Sequence, residues 1–143
     1  MLDRLAAALP RVRPGIEVEV HRTPADQLPL GEGVADAVVC TLVLCTVPDP
    51  AAVLAEARRV LRPGGRFVFL EHVAADGRPE RLKWQERLDP LWPHLAGGCH
   101  LTRRSAEAIE VAGFTMGEVT RQSARKATPV IRPTVRGVAT APG

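Results

Sequence analysis

The size and composition of the chain describe one folded domain. It has 143 residues, of which 45% are apolar and 24% charged, and its formal net charge is +3. This composition is far from that of a disordered chain, and the length supports one hydrophobic core, so we expect a single domain over residues 1–143. No apolar run approaches the ~20 residues of a membrane-spanning helix. The first residues lack the basic region and cleavage site of a secretory signal, so we expect a cytoplasmic protein.

Basic residues are concentrated near the C-terminus. The segment 119–143 contains five Arg or Lys residues and no acid. Such a segment can bind phosphate or an anionic surface. However, aromatic residues make up only 3% of the chain and Tyr is absent, which leaves few side chains on which nucleic-acid bases could stack. We therefore expect no nucleic-acid partner.

The three cysteines, Cys40, Cys45 and Cys99, match no disulfide framework. An odd number of cysteines is typical of a reducing compartment. Together with His100 they could be drawn as a zinc site, but no Cys-x2-Cys pair exists and the chain is long enough to fold without metal. We expect buried free thiols and no metal.

The first third of the chain predicts a helix and two strands. Residues 2–9 are strong helix formers, and Pro10 ends them. Residues 16–20 alternate apolar and acidic side chains, which is typical of a strand with one wet face. A loop begins at Thr23. Residues 35–45 are almost continuously apolar, which favours a strand covered on both faces, as in a parallel sheet.

The next segment predicts a helix followed by a second buried strand. Asp49 can cap the helix and Pro50 suits its first turn. The apolar residues that follow lie on one helical stripe: Val53, Leu54, Ala57, Val60 and Leu61. Pro-Gly-Gly at 63–65 ends the helix, and 66–70 is a buried strand. Strand, helix and strand form a βαβ unit.

The second half alternates helices and strands. A charged helix is predicted over 79–88, and another follows Thr102 and runs through Ala112. Residues 114–120 and 135–140 are the last two predicted strands. We find no repeat and no linker, so the predicted class is α/β.

Three strings within 35–73 carry a family pattern: the strand Asp-Ala-Val-Val-Cys, the turn Leu-Arg-Pro-Gly-Gly and the strand end Phe-Leu-Glu-His. Together they resemble class I S-adenosylmethionine-dependent methyltransferases. Further strings at 84–85 (Trp-Gln), 88–92 (Leu-Asp-Pro-Leu-Trp) and 98–103 (Gly-Cys-His-Leu-Thr-Arg) are similar to the methyltransferase-like group that includes thiol methyltransferases. The resemblance covers about residues 17–139.

The resemblance implies a partial Rossmann-like class I methyltransferase fold. The family sheet has the strand order 3-2-1-4-5-7-6, with strand 7 antiparallel. By resemblance, 16–22 is strand 3, 35–40 is strand 4, 66–71 is strand 5, and the last two predicted strands are 6 and 7. The family's acidic residue with G-x-G-x-G after strand 1 is missing, so we expect strands 3 to 7 only. Strand 3 then lacks its neighbour, and a partner chain or self-association could cover the unpaired edge.

The resemblance also implies cofactor contacts. The loop after strand 3 would read the adenine through Ala25, Asp26 and Gln27, although Asp26 could instead simply start a turn. Ligands of open α/β sheets bind beyond the carboxyl ends of the strands. Cys40, Thr41 and Leu42 would therefore line the methionine part of S-adenosylmethionine, with Cys45 one turn further on. Both cysteines could equally be core thiols.

Glu71 and His72, at the end of strand 5, are the candidate catalytic residues. The ordinary pKa of His72 suits deprotonation of a thiol, amine or hydroxyl, but a hydrogen-bonded structural histidine is the alternative. Five apolar residues would cap a substrate pocket, or would form an ordinary packed helix pair: Trp84, Leu91, Trp92, Leu95 and Leu101.

We therefore expect a methyltransferase that uses S-adenosylmethionine and methylates a small lipophilic acceptor. The resemblance to the thiol methyltransferase group suggests a thiol as this acceptor. Because the sulfonium makes its methyl group electrophilic, the protein need only align donor and acceptor and exclude water. The missing glycine-rich loop favours an alternative, in which a non-catalytic partial fold acts as an interaction or regulatory module.

Overall fold

The computed structural model describes residues 15, 17–124 and 127–143. The predicted helix over 2–9 lies outside the described residues, and so does Ile16. That residues 1–143 form a single domain stays a prediction. None of the helices in the described part combines the length and hydropathy of a membrane span.

A mixed four-stranded sheet organises the described residues. Its strands are β1 (Ala35–Thr41), β2 (Leu61–His72), β3 (Thr115–Ser123) and β4 (Pro133–Thr140). The order is β1-β2-β4-β3, with β1 parallel to β2, and β4 antiparallel to both β2 and β3. The predicted α/β class and the antiparallel last strand are confirmed, and this order corresponds to strands 4-5-7-6 of the family sheet.

Helix α1 (Pro50–Val60) connects the two parallel strands. The Asp49 carboxylate accepts hydrogen bonds from the N–H groups of Ala51 and Ala52, as its predicted capping role requires. Strand β2 starts at once after the helix and includes the Pro-Gly-Gly turn, where Gly64 has φ +73°. The predicted β-helix-β unit is therefore confirmed.

The core lies between one face of the sheet and the helices α1 and α4 (Ser105–Val111). The rings of Phe67 and Phe114 pack 5.1 Å apart between centroids. The opposite face stays open, and Val39 on β1 is 72% exposed. The expectation that 35–45 is covered on both faces is therefore wrong for the described residues. Among the described residues, β1 is an edge strand with one uncovered face.

The second half contains two shorter elements besides α4. Helix α2 (Pro79–Leu88) has the predicted bounds, and α3 (Trp92–Leu95) is a single turn. A 3-10 turn spans Pro129–Ile131. The predicted helix through Ala112 ends one residue earlier, with Ala112 as its cap.

Two predicted strand assignments differ from the structure. Residues 17–22 form no strand and are exposed, so the counterpart of family strand 3 is absent from the described residues. In the family order strand 3 pairs with strand 2, and no described strand takes the place of strand 2, so residues 17–22 have no ladder partner in the described part of the chain. The apolar run 35–45 stops being a strand at Thr41, because Leu42 adopts φ +56° and the Thr46 N–H turns back to the Val43 carbonyl.

Candidate functional site

The carboxyl ends of β1 and β2 open at the same edge of the sheet, because the two strands are parallel and Thr41 pairs with Leu70. Leu42 follows at once with the left-handed φ of +56°, which bulky residues rarely adopt. Its N–H donates to the Leu70 carbonyl at 2.9 Å, and its side chain is about half exposed. We call residues 42–46 the rim loop. The rim loop begins at the carboxyl end of β1, which is where ligands of open α/β sheets bind.

Glu71 holds the rim loop in place. Its side chain is completely buried, and its two carboxylate oxygens accept hydrogen bonds from the N–H groups of Val43 (3.0 Å) and Cys45 (3.1 Å). The Cys40 thiol donates to the same carboxylate at 3.4 Å. Both oxygens of this carboxylate are therefore occupied by hydrogen bonds from the chain itself. The catalytic role predicted for Glu71 stays a prediction.

The Cys40 thiol lies in the core beneath the rim loop. Burial, together with the neighbouring Glu71 carboxylate, raises its pKa to about 12. The thiol therefore stays protonated near neutral pH and serves as a hydrogen-bond donor to Glu71. Cys45 is equally buried. The structure thus places both side chains in the core, so only their backbone can face a ligand.

His72 is buried beside Cys99. Its side chain is only 4% exposed, and Nδ1 lies 3.6 Å from the Cys99 sulfur. Burial lowers the pKa of His72, although nearby backbone carbonyls oppose that shift. The ring is therefore neutral at pH 7. Within the described residues, Nε2 makes no hydrogen bond. An unpaired buried ring nitrogen is unusual and leaves one polar position open for a ligand or water.

The backbone segments that carry Cys45 and Cys99 lie against each other. The His100 N–H donates to the Cys45 carbonyl at 2.7 Å, which aligns the two segments. The hydrogen bond from Cys99 lowers the pKa of Cys45, and the same bond raises the pKa of Cys99. In the described part of the chain, no three His, Cys, Asp or Glu side chains are arranged to hold a metal ion.

The predicted adenine-contacting residues form an exposed turn. Ala25 packs against the core, while Asp26 and Gln27 are exposed. The Gln27 N–H donates to the Pro24 carbonyl at 3.1 Å, so the turn that the sequence offered as an alternative for Asp26 is present. No hydrogen bond among the described residues joins this turn to the rim loop. The predicted adenine contact of Ala25, Asp26 and Gln27 stays a prediction.

Helix α1 anchors the segment that follows this turn. The Leu28 N–H donates to Glu56 Oε1 at 2.7 Å, and Arg59 pairs with the same carboxylate at 2.7 Å. The hydrogen bond from Arg59 lowers the pKa of Glu56 to about 2. This carboxylate therefore stays charged throughout the neutral range and holds the end of the turn against the helix.

The predicted apolar cap is only partly assembled. Leu101 is fully buried in the core, whereas Leu95 is 82% exposed, and Trp84 and Leu91 are more than half exposed. The Arg87 guanidinium lies 5.7 Å from the centre of the Trp84 ring. These residues form an exposed apolar surface on α2 and α3 rather than a closed pocket or a packed helix pair.

Two buried or half-buried polar residues that anchor the backbone received no role in the sequence analysis, although they lie inside the quoted strings. Asp89 accepts hydrogen bonds from the Leu101 N–H and, at 3.1 Å, from the Thr102 hydroxyl. The fully buried Gln85 accepts from the Ala75 N–H at 2.7 Å. Both are polar residues in otherwise apolar strings, Leu-Asp-Pro-Leu-Trp and Trp-Gln. That signal could have marked them as groups that anchor the backbone.

Comparisons with known proteins identify what the chain resembles. Residues 1–69 match the family described as a methyltransferase domain. The chain is 44% identical to human thiol S-methyltransferase TMT1A over 110 residues, which cover 77% of this chain and 45% of that protein. It is 49% identical to rat thiol S-methyltransferase TMT1B over 86 residues, covering 60% and 35%. The chain therefore spans less than half the length of these curated relatives.

Solved structures share the fold at low sequence identity. A putative methyltransferase from Bacillus halodurans has a TM-score of 0.73 and 18% identity, and the match covers 98% of this chain and 78% of that one. The [4+2]-cyclase SpnF has a TM-score of 0.72 and 18% identity, covering 96% and 60%. A geranyl diphosphate C-methyltransferase from Streptomyces coelicolor, in complex with S-adenosyl-L-homocysteine, has a TM-score of 0.62 and 14% identity, covering 85% and 52%. Because one neighbour is a cyclase, these likenesses show the fold alone.

Proposed function

We propose that this chain is a class I S-adenosylmethionine-dependent methyltransferase and that it transfers a methyl group to a small lipophilic thiol. The cofactor supplies an electrophilic methyl group on its sulfonium. The acceptor class rests on the likeness to TMT1A and TMT1B, which are named thiol S-methyltransferases. The observation that carries the proposal is the rim loop, which Glu71 fixes at the carboxyl ends of the two parallel strands.

The described residues offer contacts for two parts of this cofactor, its methionine part and its adenine. Thr41 and Leu42 are exposed at the rim and would hold its methionine part, with the backbone of Cys40 and Cys45 beneath them. The exposed Asp26 would hold the adenine, with Ala25 and Gln27 beside it. The 143 residues contain no acidic residue followed by G-x-G-x-G. The backbone donors of such a string are therefore missing, and charged hydrogen bonds of this kind contribute ~1.5–3 kcal/mol each.

We further propose that a second chain, either another protein or a second copy, supplies the missing donors along the free edge of β1. Four of the seven residues of β1 are exposed, and only β2 pairs with it in the described residues. An unpaired strand edge is a template for another strand. Sedimentation velocity with and without S-adenosylmethionine tests this proposal. A species that stays monomeric at every concentration and in both conditions would contradict the self-association form of it.

His72 is the proposed proton acceptor for the thiol. In the tautomer whose Nδ1–H faces the Cys99 sulfur, Nε2 is a free base without a partner in the described residues. Because burial lowers its pKa, His72 is neutral and able to accept a proton at pH 7. Glu71 then acts through the rim loop, since its own carboxylate is buried and already hydrogen-bonded. Leu91 and Leu95 provide exposed apolar surface on which a lipophilic acceptor could rest.

Calorimetric titration with S-adenosylmethionine, followed by a product assay, tests the proposal. We expect binding of the cofactor by the chain, and formation of the methyl thioether when an alkyl thiol is added. His72→Asn should reduce turnover of the thiol with little change in cofactor affinity, while the exposed-site control Lys83→Ala should retain both. Activity on amines or phenols alone would contradict the thiol acceptor.

Absence of binding at millimolar cofactor would favour the other candidate, a non-catalytic partial fold that acts as an interaction or regulatory module. The missing glycine-rich string is the observation that favours this candidate. We also propose a cytoplasmic location without nucleic-acid partners. All three cysteines are free, which is usual in a reducing compartment, and the chain has few aromatic side chains for base stacking.

A further inference from the structure

Cys45 and Cys99 lie on two separately anchored segments. Cys45 belongs to the rim loop, whose backbone Glu71 holds. Cys99 precedes the backbone stretch that Asp89 holds through the Leu101 N–H. Carboxylates on two different elements therefore hold the two segments.

The backbones of the two segments also approach closely. The His100 N–H donates to the Cys45 carbonyl at 2.7 Å. At Gly98, which has φ +90°, an added Cβ would lie 3.0 Å from the Thr46 carbonyl oxygen. Only glycine combines this φ with so close an approach. The sequence thus brings the residues on either side of Cys99 against the rim loop.

The two thiols differ in access. Cys45 is 1% exposed, whereas Cys99 is partly exposed and lies 3.6 Å from His72 Nδ1. A small oxidant from solvent would therefore meet the Cys99 sulfur first. Cys45 is the cysteine on the facing segment, because the His100 N–H, next to Cys99 in the chain, donates to the Cys45 carbonyl at 2.7 Å.

We propose that Cys45 and Cys99 form a reversible disulfide when the protein meets a hydroperoxide, which ties the rim loop to the segment 97–101. One of the two sulfurs, as its thiolate, attacks the peroxide oxygen and breaks the O–O bond, and the proton of that thiol leaves with the alcohol. The other sulfur attacks the resulting sulfenic acid. Hydroxide leaves and takes the proton of the second thiol as water. In total, two thiols are oxidised and one hydroperoxide is reduced to an alcohol and water.

The cross-link would restrain the loop proposed to hold the cofactor's methionine part. Its formation is nevertheless independent of methyl transfer, because both thiols belong to the chain itself. A peptide map therefore tests it separately from the proposed function. Trypsin releases Cys40 and Cys45 together in the peptide 23–58, and Cys99 alone in the peptide 88–103.

The experiment treats the folded chain with one equivalent of hydrogen peroxide, blocks free thiols and maps the unreduced peptides by mass spectrometry. We expect the peptides 23–58 and 88–103 to be joined, with the loss of two hydrogens, and to separate on reduction. The matched control Cys40→Ser should retain the joined pair, whereas Cys99→Ser should lose it. The joined peptides are measured on the chain without any substitution. A variant that fails to fold therefore does not affect the main result.

Three outcomes would overturn the proposal. The first is a bridge confined to the peptide 23–58, which would mean that Cys40 and Cys45 react instead. The second is a disulfide between two chains. The third outcome is a Cys99 that forms no disulfide. It would be found either unmodified or oxidised only to its sulfinic or sulfonic acid, which would mean that Cys45 is not within reach.

Discussion

Replacing Glu71 by Gln tests whether this carboxylate organises the rim loop. The glutamine keeps the size of the side chain but has one acceptor oxygen instead of two. In the structure each oxygen serves a different backbone donor, Val43 N–H and Cys45 N–H. The new NH2 group must therefore face one of these donors, and that donor has no acceptor left.

The expected loss of stability follows from these contacts. One charge-assisted hydrogen bond disappears, at ~1.5–3 kcal/mol, and a buried N–H is left unpaired, at ~1–3 kcal/mol. Because the two effects overlap at one group, we expect Glu71→Gln to lower the free energy of unfolding by about 3 kcal/mol. At roughly 3 °C per kcal/mol for a domain of this size, Tm should fall by about 10 °C.

Thermal unfolding followed by circular dichroism measures this shift, with Glu80→Gln as the matched control. Glu80 is exposed on α2 and pairs with Lys83 at 3.2 Å, so its substitution should change stability by less than about 1 kcal/mol. If Glu71→Gln unfolds at the temperature of the unchanged chain, the positioning role is refuted. Loss of methyl transfer with unchanged Tm would instead support the catalytic contact first predicted for Glu71.

Three further predictions concern other buried or capping groups. Gln85→Leu should destabilise the fold by about 3 kcal/mol in urea unfolding, because the Ala75 N–H and two carbonyls lose their partner. Burial lowers the pKa of His72 in the folded chain, so below about pH 6.5 the unfolded chain binds this proton more readily. The free energy of unfolding should therefore decrease as pH falls below about 6.5. His72→Asn should flatten that dependence in urea titrations, whereas His94→Gln should retain it. Asp49→Ala should lower unfolding free energy by about 1 kcal/mol.

The elements that sequence predicted well are those fixed by local chemistry. The Asp49 cap with Pro50 predicts the start of α1, and the structure begins the helix at Pro50. The bounds of α2, 79–88, follow from a proline at its first turn and were predicted without error. In both cases the signal lies within a few residues, so no distant contact was needed to interpret it.

Errors arose where a partner outside the local sequence decides the structure. The alternation at 16–20 has the period of a strand, but a strand also needs a neighbour, and residues 17–22 have none in the described structure. The apolar run 35–45 has the composition of a doubly covered strand, yet Val39 is exposed because no described helix covers that face. Periodicity describes what a segment can bury and not whether something covers it.

The position of Glu71 and His72 at the end of a strand was predicted from the sequence, but the surroundings of their side chains were not. The strand ends could be aligned by resemblance, and the structure has both residues at the carboxyl end of β2. Which of them faces a ligand depends on the backbone around them. The rim loop folds back over β2 and offers two N–H groups to Glu71, which buries that carboxylate completely. His72, one residue later, keeps an unpaired ring nitrogen among the described residues, and it is therefore the better candidate for chemistry.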